Sequence, residues 1–316
     1  MGRQARCAVI GAVNTDIGGF PLGRLSLQDS TPGRVVLSAG GVGRNIACNL
    51  ARLGVETHLI APLGTDAFAD AARADCAHCG VDLSLSPVFD GAASSTYLFI
   101  ADAGGDMQLA VNDMAICDRM TPAVLEARLD ALNAMDAVVL DANIPAETLA
   151  FLARRVRAPL LADAVSTAKA PRLLGVIDRL SALKPNAIEA ETLTGIPVHG
   201  ADSALRAAKA LVDMGAARAF ITLGEKGACC ADAHGARFLP GAALRLVNAT
   251  GAGDAFTAAL TWGTLRGLSL WECGVAGLAA AAICAESLET VNPGISEAAV
   301  LSRIATYKEA HHESIP

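Results

Sequence analysis

The 316-residue sequence has no excess of positive charge: 25 Lys and Arg stand against 32 Asp and Glu, a formal net charge of −7. No basic stripe is present, which argues against nucleic acid as a partner, although local amides and a few cations can still hold a small anionic ligand. No apolar run is long enough for a bilayer. The most apolar stretch, Gly274 to Ala285 between Glu272 and Glu286, falls short of the roughly 20 residues a span requires and reads as a buried core helix. No secretory leader is expected, because Arg3 and Arg6 precede only a short apolar run that stops at Asn14-Thr15-Asp16. The Met1-Gly2 start carries Arg6 where myristoylation needs Ser or Thr. The nine Cys residues are therefore expected as reduced thiols in a cytoplasmic protein.

Nucleotide fingerprints are also missing. No Gly-x4-Gly-Lys-Ser/Thr occurs, which excludes a P-loop nucleotidase. Gly41 and Gly43 would need Gly or Ala at position 46, which is Ile46, so a dinucleotide-dependent reductase is excluded too. Cys76-Ala77-His78-Cys79 has metal-like spacing but no second Cys or His pair accompanies it, so a buried helix is the expected reading.

What is present is a core. Hydrophobic residues make up 53% and charged residues 18% of the chain, enough for one large α/β domain spanning 1–316 with room for a small appendage. Cys7 to Val13 is a continuous apolar run that fits a central buried strand, ending at Asn14 and Asp16, on the edge where open α/β sheets bind ligands. A strand-ending turn is the competing reading. Gly40-Gly41-Val42-Gly43-Arg44-Asn45 then opens a helix over Ile46 to Leu53, stopped by Gly54. A glycine pair allows close approach of a ligand to backbone, and Asn45 can hydrogen-bond diol hydroxyls.

Glu56 to Pro62 reads as a strand, followed by a helix from Asp66 to about Cys79. Ser95 to Ile100 and Met107 to Val111 alternate around Asp102-Ala103-Gly104-Gly105, a hairpin signal. Hairpin strands do not suit a parallel sheet, so this segment and the Gly-, Pro- and Ser-rich 18–38 segment are expected to form a separate small sheet, ending at Asn112 and Asp113. Beyond residue 120 the pattern alternates. Strands are predicted over 137–140, 159–162, 180–183 and 219–223, and helices over 122–133, 146–155, 187–193 and 203–214, a βαβ series with helices on both faces.

Polar residues cluster after these strands: Asp141 and Asn143; Asp163, Ser166 and Lys169; and Lys184-Pro185-Asn186 with Glu189. Asn186 and Glu189 can face one side and suit hydrated Mg²⁺; a helix-capping box explains the same spacing. Thr222-Leu223-Gly224-Glu225-Lys226-Gly227 is a strand and a turn able to cover a nucleotide phosphate, or a plain hairpin. The richest stretch is Asn248-Ala249-Thr250-Gly251-Ala252-Gly253-Asp254, with Ala252, Ala255, Phe256, Ala259 and Leu260 on one helical face. Thr250 occupies the expected N-cap. The amides of Gly251, Ala252 and Gly253 at the positive end of the helix form an anion site. A carboxylate there repels an anion, so Asp254 reads as a base for a hydroxyl attacking a phosphoryl group, against the alternative of a helix-capping Asp.

Together these stretches resemble the ribokinase (PfkB-type) family of carbohydrate and nucleoside kinases over essentially the whole chain. They are Gly40-Gly41 with Asn45, Asn186-x-x-Glu189, Thr222-x-Gly224 and Gly251-Ala252-Gly253-Asp254. Within the family the likeness extends to the pseudouridine kinases. The resemblance implies a three-layer α/β/α fold with a mostly parallel sheet and a small β-sheet lid from about 18–38 and 95–113. It implies ATP and Mg²⁺ as co-substrate and cofactor, with phosphoryl transfer to the 5′-hydroxyl of pseudouridine, or to ribose, adenosine or inosine-guanosine in a related kinase. A silent nucleoside or sugar sensor on the same fold is the different-class alternative, weighed against by the intact Asp254 and Glu189.

On this reading Asp254 is the base and Glu189 serves the metal. Asn186, Thr222, Gly224 and Gly227 serve the nucleotide. Asn14, Asp16, Gly41 and Asn45 grip the ribose, Asn112 and Asp113 read the uracil edge, and Gly40 and Lys169 complete the substrate-binding set. Many members begin the last motif with Asp-Thr where this chain has Asn248-Ala249, a departure that bears on monovalent-cation (K⁺) use. The exposed lid edges imply a homodimer.

Overall fold

The computed structural model describes residues 3–26, 28–104 and 106–311. The Met1-Gly2 start, Leu27 within the expected lid, Gly105 of the hairpin turn and residues 312–316 lie outside the described residues. In chain order the strands and helices are β1 (Arg6–Ile10), β2 (Asn14–Pro21), β3 (Gly33–Gly40), α1 (Val42–Arg52), β4 (Glu56–Ile60), α2 (Ala67–Cys79), β5 (Val81–Asp82), β6 (Thr96–Ala101) and β7 (Met107–Asp113). There follow α3 (Pro122–Glu126), α4 (Leu129–Asn133), β8 (Ala137–Asp141), α5 (Ala146–Arg155), β9 (Leu160–Asp163), β10 (Leu180–Lys184), α6 (Ala187–Thr194) and α7 (Ala201–Asp213). The chain closes with β11 (Arg218–Thr222), β12 (Gly227–Asp232), β13 (Gly235–Pro240), α8 (Ala252–Leu265), α9 (Leu270–Ala285) and α10 (Glu297–Ala310).

Nine strands form one sheet in the order β13-β12-β11-β10-β9-β8-β1-β4-β5. All neighbours from β11 to β5 run parallel, and β12 and β13 add an antiparallel edge. The two-residue alternation of a strand explains why both faces are covered. In β1, Cys7 and Val9 enter a core shared with α1, α2, α8 and α9, whereas Ala8 and Ile10 enter a second core with α5, α6 and α7. Strand order turns around β1, which lies between β4 and β8, and at such a switch point the carboxyl ends of the strands leave a crevice. The site described below sits there.

The small sheet is present as a four-stranded unit, β3-β2-β6-β7. It takes in more of the chain than expected, from Asn14 to Gly40, because β2 begins directly after β1. Asn14 and Asp16 thus belong to the small sheet, paired with Gly40 and Ser38 of β3, rather than ending the central strand. Helix α1 starts four residues earlier than its apolar pattern suggests. Gly41 takes φ 96°, and the buried Asp141 carboxylate accepts from the Gly43 N–H (2.9 Å), so the first turn is stabilised without a side-chain cap.

The single helix expected over 122–133 is two, α3 and α4. Arg128, at φ −110° and ψ −1°, interrupts it, and the guanidinium donates to the Leu85 and Val124 carbonyls. Among the described residues no helix is long and apolar enough to cross a membrane, and Gly274 to Ala285 forms the buried body of α9. Helix α10 lies outside the sequence expectations, since only Val300 and Tyr307 of it are buried.

Candidate active site

Helix α8 opens on Gly251, not on the expected Thr250. Gly251 is the N-cap, at φ 83°, and a Cβ there would lie 2.0 Å from the Thr290 carbonyl oxygen; only glycine fits both constraints. The Ala252 N–H makes only a long turn contact with Ala249 O (3.3 Å). The Gly253 and Asp254 N–H groups, in the first turn, have no carbonyl ahead of them within the helix. This is an open, positively polarised helix end.

Asp254, half-buried in that first turn, accepts from Asn45 Nδ2 at 2.8 Å. The Asn45 Oδ1 in turn accepts from Arg44 Nη1 at 3.0 Å, and Arg44 is ion-paired with Asp75. Both ends of the Asn45 amide are therefore engaged, and it holds the Asp254 carboxylate in place while one N–H and one lone pair remain for a further partner.

Beneath Asp254 lies a buried ion pair. Lys184 Nζ is 2.8 Å from Asp163 Oδ2, Thr257 donates to the same oxygen at 2.6 Å, and Lys184 also reaches Gly253 O at 3.4 Å. Neither Lys184 nor Asp163 was singled out for a role by the sequence. The available signal was a lysine closing an otherwise apolar strand. Val165, which follows Asp163, sits at φ 67°. For a β-branched residue this is an outlier of the kind that marks functional sites.

Burial, then the nearby Asp163 charge, pushes the Asp254 carboxyl up to about 8, against the opposing effects of the Asn45 hydrogen bond and Lys184. A base must be ionised to act. Activity limited by this group is therefore expected to rise with pH through a midpoint near 8 in kcat/KM. Asn45→Ala removes a donor to the charged form, so the limb should move to higher pH. A limb that stays in place in the variant would detach Asn45 from the titration.

Two cavities meet at the 248–254 stretch. One, of about 900 Å³, is lined by Asn186, Glu189, Thr222, Gly224, Gly227, Ala252, Gly253 and Asp254, which gathers every residue assigned to the nucleotide and metal. Asn186 and Glu189 do form the capping box: Glu189 N donates to Asn186 Oδ1 (2.9 Å) and Asn186 N donates to Glu189 Oε2 (2.8 Å). The capping bond occupies Oε2 alone. Glu189 is buried, which pushes its carboxyl up, yet it lines the cavity. Capping and metal binding are thus compatible. Thr222 is bridged to Asn186 and leads into the β11–β12 hairpin, so the hairpin reading of that turn holds, and the turn also lines the cavity.

The second cavity, of about 770 Å³, is lined by Asp16, Phe20, Ser38, Arg44, Asp75, Tyr97, Phe99, Asn248 and Thr250. Gly40 seats Asp16, because a Cβ at Gly40 would fall 2.2 Å from Asp16 Oδ2. Burial outweighs the opposing effects of the neighbouring Asn14 amide and Arg44 and pushes the Asp16 carboxyl up to about 6. Asp16 Oδ1 is buried without a hydrogen-bond partner among the described residues, an acceptor waiting for a donor.

Phe20, Tyr97 and Phe99 form one aromatic ledge, with ring centroids 5.7 Å apart for Phe20–Phe99 and 6.1 Å for Tyr97–Phe99. Sequence reading missed it, because aromatics on alternate strand positions look like ordinary core. Asn112 pairs with Tyr97 and shares its face of the sheet, whereas Asp113 pairs with Thr96 on the other face. Both are exposed, and neither they nor the half-buried Lys169 line this cavity. Asn248 accepts from Thr250 N (3.0 Å) and donates to Leu288 O (3.1 Å), so both ends of its amide are engaged.

Residues 4–298 match the profile of the pfkB family carbohydrate kinases. The chain is 34% identical over 305 residues to the uncharacterized sugar kinase YeiI of Escherichia coli, covering 95% of this chain and 84% of that protein. It is 31% identical over 298 residues to the pseudouridine kinase of Escherichia coli, covering 94% and 95%. Among solved structures it is similar to a carbohydrate kinase from Agrobacterium tumefaciens, with a TM-score of 0.85 at 28% identity over 96% of this chain and 97% of that one. Arabidopsis thaliana ribokinase complexed with ribose and ATP gives a TM-score of 0.85 at 22% identity, over 96% and 99% of the two chains, a likeness of fold alone.

Proposed function

This chain belongs to the pfkB family of carbohydrate kinases, and from that premise we propose that it transfers the γ-phosphoryl group of ATP to the 5′-hydroxyl of pseudouridine. The observation that carries the nucleoside reading is the aromatic ledge of Phe20, Tyr97 and Phe99 over Asp16 in the second cavity. A nucleobase presents a flat π face that such a ledge can stack. The relative named a pseudouridine kinase, matched over nearly its full length, supports the particular base.

In the proposed reaction Asp16 accepts from ribose hydroxyls and fixes the 5′-hydroxyl in line. Asp254 takes the hydroxyl proton as the oxygen bonds to the γ-phosphorus and the bridge to ADP breaks. The amides of Gly251, Ala252 and Gly253 stabilise the charge on the phosphoryl oxygens, and being part of a helix end they need no reorganisation to do so. Glu189 offers a hard oxygen to the nucleotide cavity and would hold Mg²⁺, which suits one carboxylate plus water. When bound, that ion neutralises phosphate charge. The β2-β3-β6-β7 sheet acts as a lid that excludes water from the acceptor.

Tyr97→Ala tests the base-stacking role. It is expected to raise KM for pseudouridine about 10- to 100-fold, the equivalent of losing one stacked base at about 1–3 kcal/mol, while turnover of ribose changes little. Equal losses with both acceptors would remove the ledge from base recognition.

The outer face of the lid carries Val35, Leu37, Leu98, Leu109 and Val111, all exposed, with Val35 at 70% and Val111 at 69%. The pairing register puts them on one side of the sheet, a contiguous exposed apolar face of the kind that marks protein–protein contact. We place a second copy of the chain on this face. Sedimentation should give a dimer for the native chain and a monomer for Leu37→Glu; a native monomer would refute it.

A further inference from the structure

Cys76-Ala77-His78-Cys79 has metal-like spacing but lacks a second Cys or His pair in sequence, which favours a plain helix; the fold supplies a further thiol. Cys48 of α1 faces α2, and its Sγ, that of Cys79 and a carboxylate oxygen of Asp75 all lie within 4.8 Å of one another. We propose that Cys48, Asp75 and Cys79 form a binding site for one soft divalent cation of the zinc or cadmium class, clamping α1 to α2. The site is separate from Glu189, whose hard oxygen suits magnesium.

Three features carry the assignment beyond proximity. The donor set is two sulfurs and one oxygen, which thiophilic cations prefer and Mg²⁺ does not. Both Arg44 contacts on Asp75, from Nε at 2.7 Å and Nη2 at 2.6 Å, fall on Oδ2, so Oδ1 can ligate while Oδ2 stays bonded. A carboxylate oriented by a second residue in this way is the usual support of a metal ligand. Charge also balances: as the cation enters, each thiol gives up its proton to solvent, and two thiolates with one carboxylate face one guanidinium and one dication.

Access and coordination number are satisfied as well. Cys48 is fully buried, whereas Asp75 and Cys79 are half-exposed, which leaves a route from solvent. Cys76 is buried one turn before Cys79 on α2, so a fourth position can be filled by this thiol or by water. Arg44, beside the site, reaches Asn45, and Asn45 reaches Asp254.

The test is a titration of the reduced full-length chain with cadmium, in excess Mg²⁺, following the ultraviolet thiolate-to-cadmium charge-transfer band. The expected result is a band that saturates at one equivalent, with a rise in the thermal unfolding midpoint on adding zinc. Cys79→Ser, a change at a half-exposed position, should abolish the one-equivalent band with folding intact by circular dichroism, and Asp75→Asn should weaken it. Cys229→Ala, at the opposite edge of the sheet, should keep it. No saturable band, or a band that survives Cys79→Ser, overturns the proposal. The readout needs no catalysis, so its failure and the failure of the kinase reading are distinguishable.

Discussion

Asp254→Asn is expected to lower kcat by about 10²–10⁴-fold with both substrates saturating. Nucleoside binding measured by calorimetry should be nearly unchanged. The substitution keeps shape and leaves an amide oxygen to accept the Asn45 hydrogen bond seen at 2.8 Å, so position is preserved and only the basic function is lost. The same variant should gain stability at high pH.

The wild-type carboxyl is raised to about 8 in the folded protein, against an ordinary value of about 3.9 in the unfolded chain. For a group shifted in this direction, its contribution is fully present below the unfolded value and is lost as pH rises through the folded one. The variant carries no such loss. Unfolding midpoints compared at neutral and alkaline pH should therefore diverge in its favour, the usual sign of a residue kept for chemistry rather than for folding. A variant that is inactive and also less stable at every pH would point to a structural Asp254.

The second large effect concerns the ion pair beneath Asp254. Lys184→Met is expected to destabilise the protein by about 3–5 kcal/mol, because it leaves the Asp163 charge buried without its cation. The side chains are only 6% and 3% exposed, so water cannot substitute. Adding Asp163→Asn to Lys184→Met removes the orphaned charge and should recover most of the loss, since a buried pair is worth far less as a unit than either partner alone. Urea midpoints of the two single variants and the double variant test this. Additive losses would mean that the two residues act independently. Activity should fall in all three, as Lys184 also touches Gly253 O at 3.4 Å, the backbone of the turn proposed to bind the phosphoryl group.

Local chemistry made much of this site legible. The Gly251–Asp254 turn, the Asn186–Glu189 pair and the Thr222–Gly227 hairpin each declare themselves within seven residues, because capping, turn and helix-end geometry depend on near neighbours. The parallel sheet followed from apolar runs alternating with helical periods. What stayed hidden depends on contacts across the fold. Nothing in the sequence joins Asn45 to Asp254, which α1 brings together across 209 positions. Lys184 looks like a strand terminus until Asp163 is placed beside it by the β9–β10 register. Cys48 and Cys79 belong to different helices, so no spacing rule joins them. Asn14 and Asp16 were misplaced by one element, because Gly18 and Gly19 blur the alternation that would have marked β2 as a strand.

The measurement that tests the account most directly is a competition. Equimolar pseudouridine, uridine, inosine and ribose are given to the enzyme with limiting Mg·ATP, and the phosphorylated products are identified by mass and phosphorus resonance. The account predicts that pseudouridine 5′-monophosphate dominates, and that uridine, which differs only in how the base joins the ribose, yields far less. A product mixture led by ribose 5-phosphate or by a purine nucleotide would contradict it.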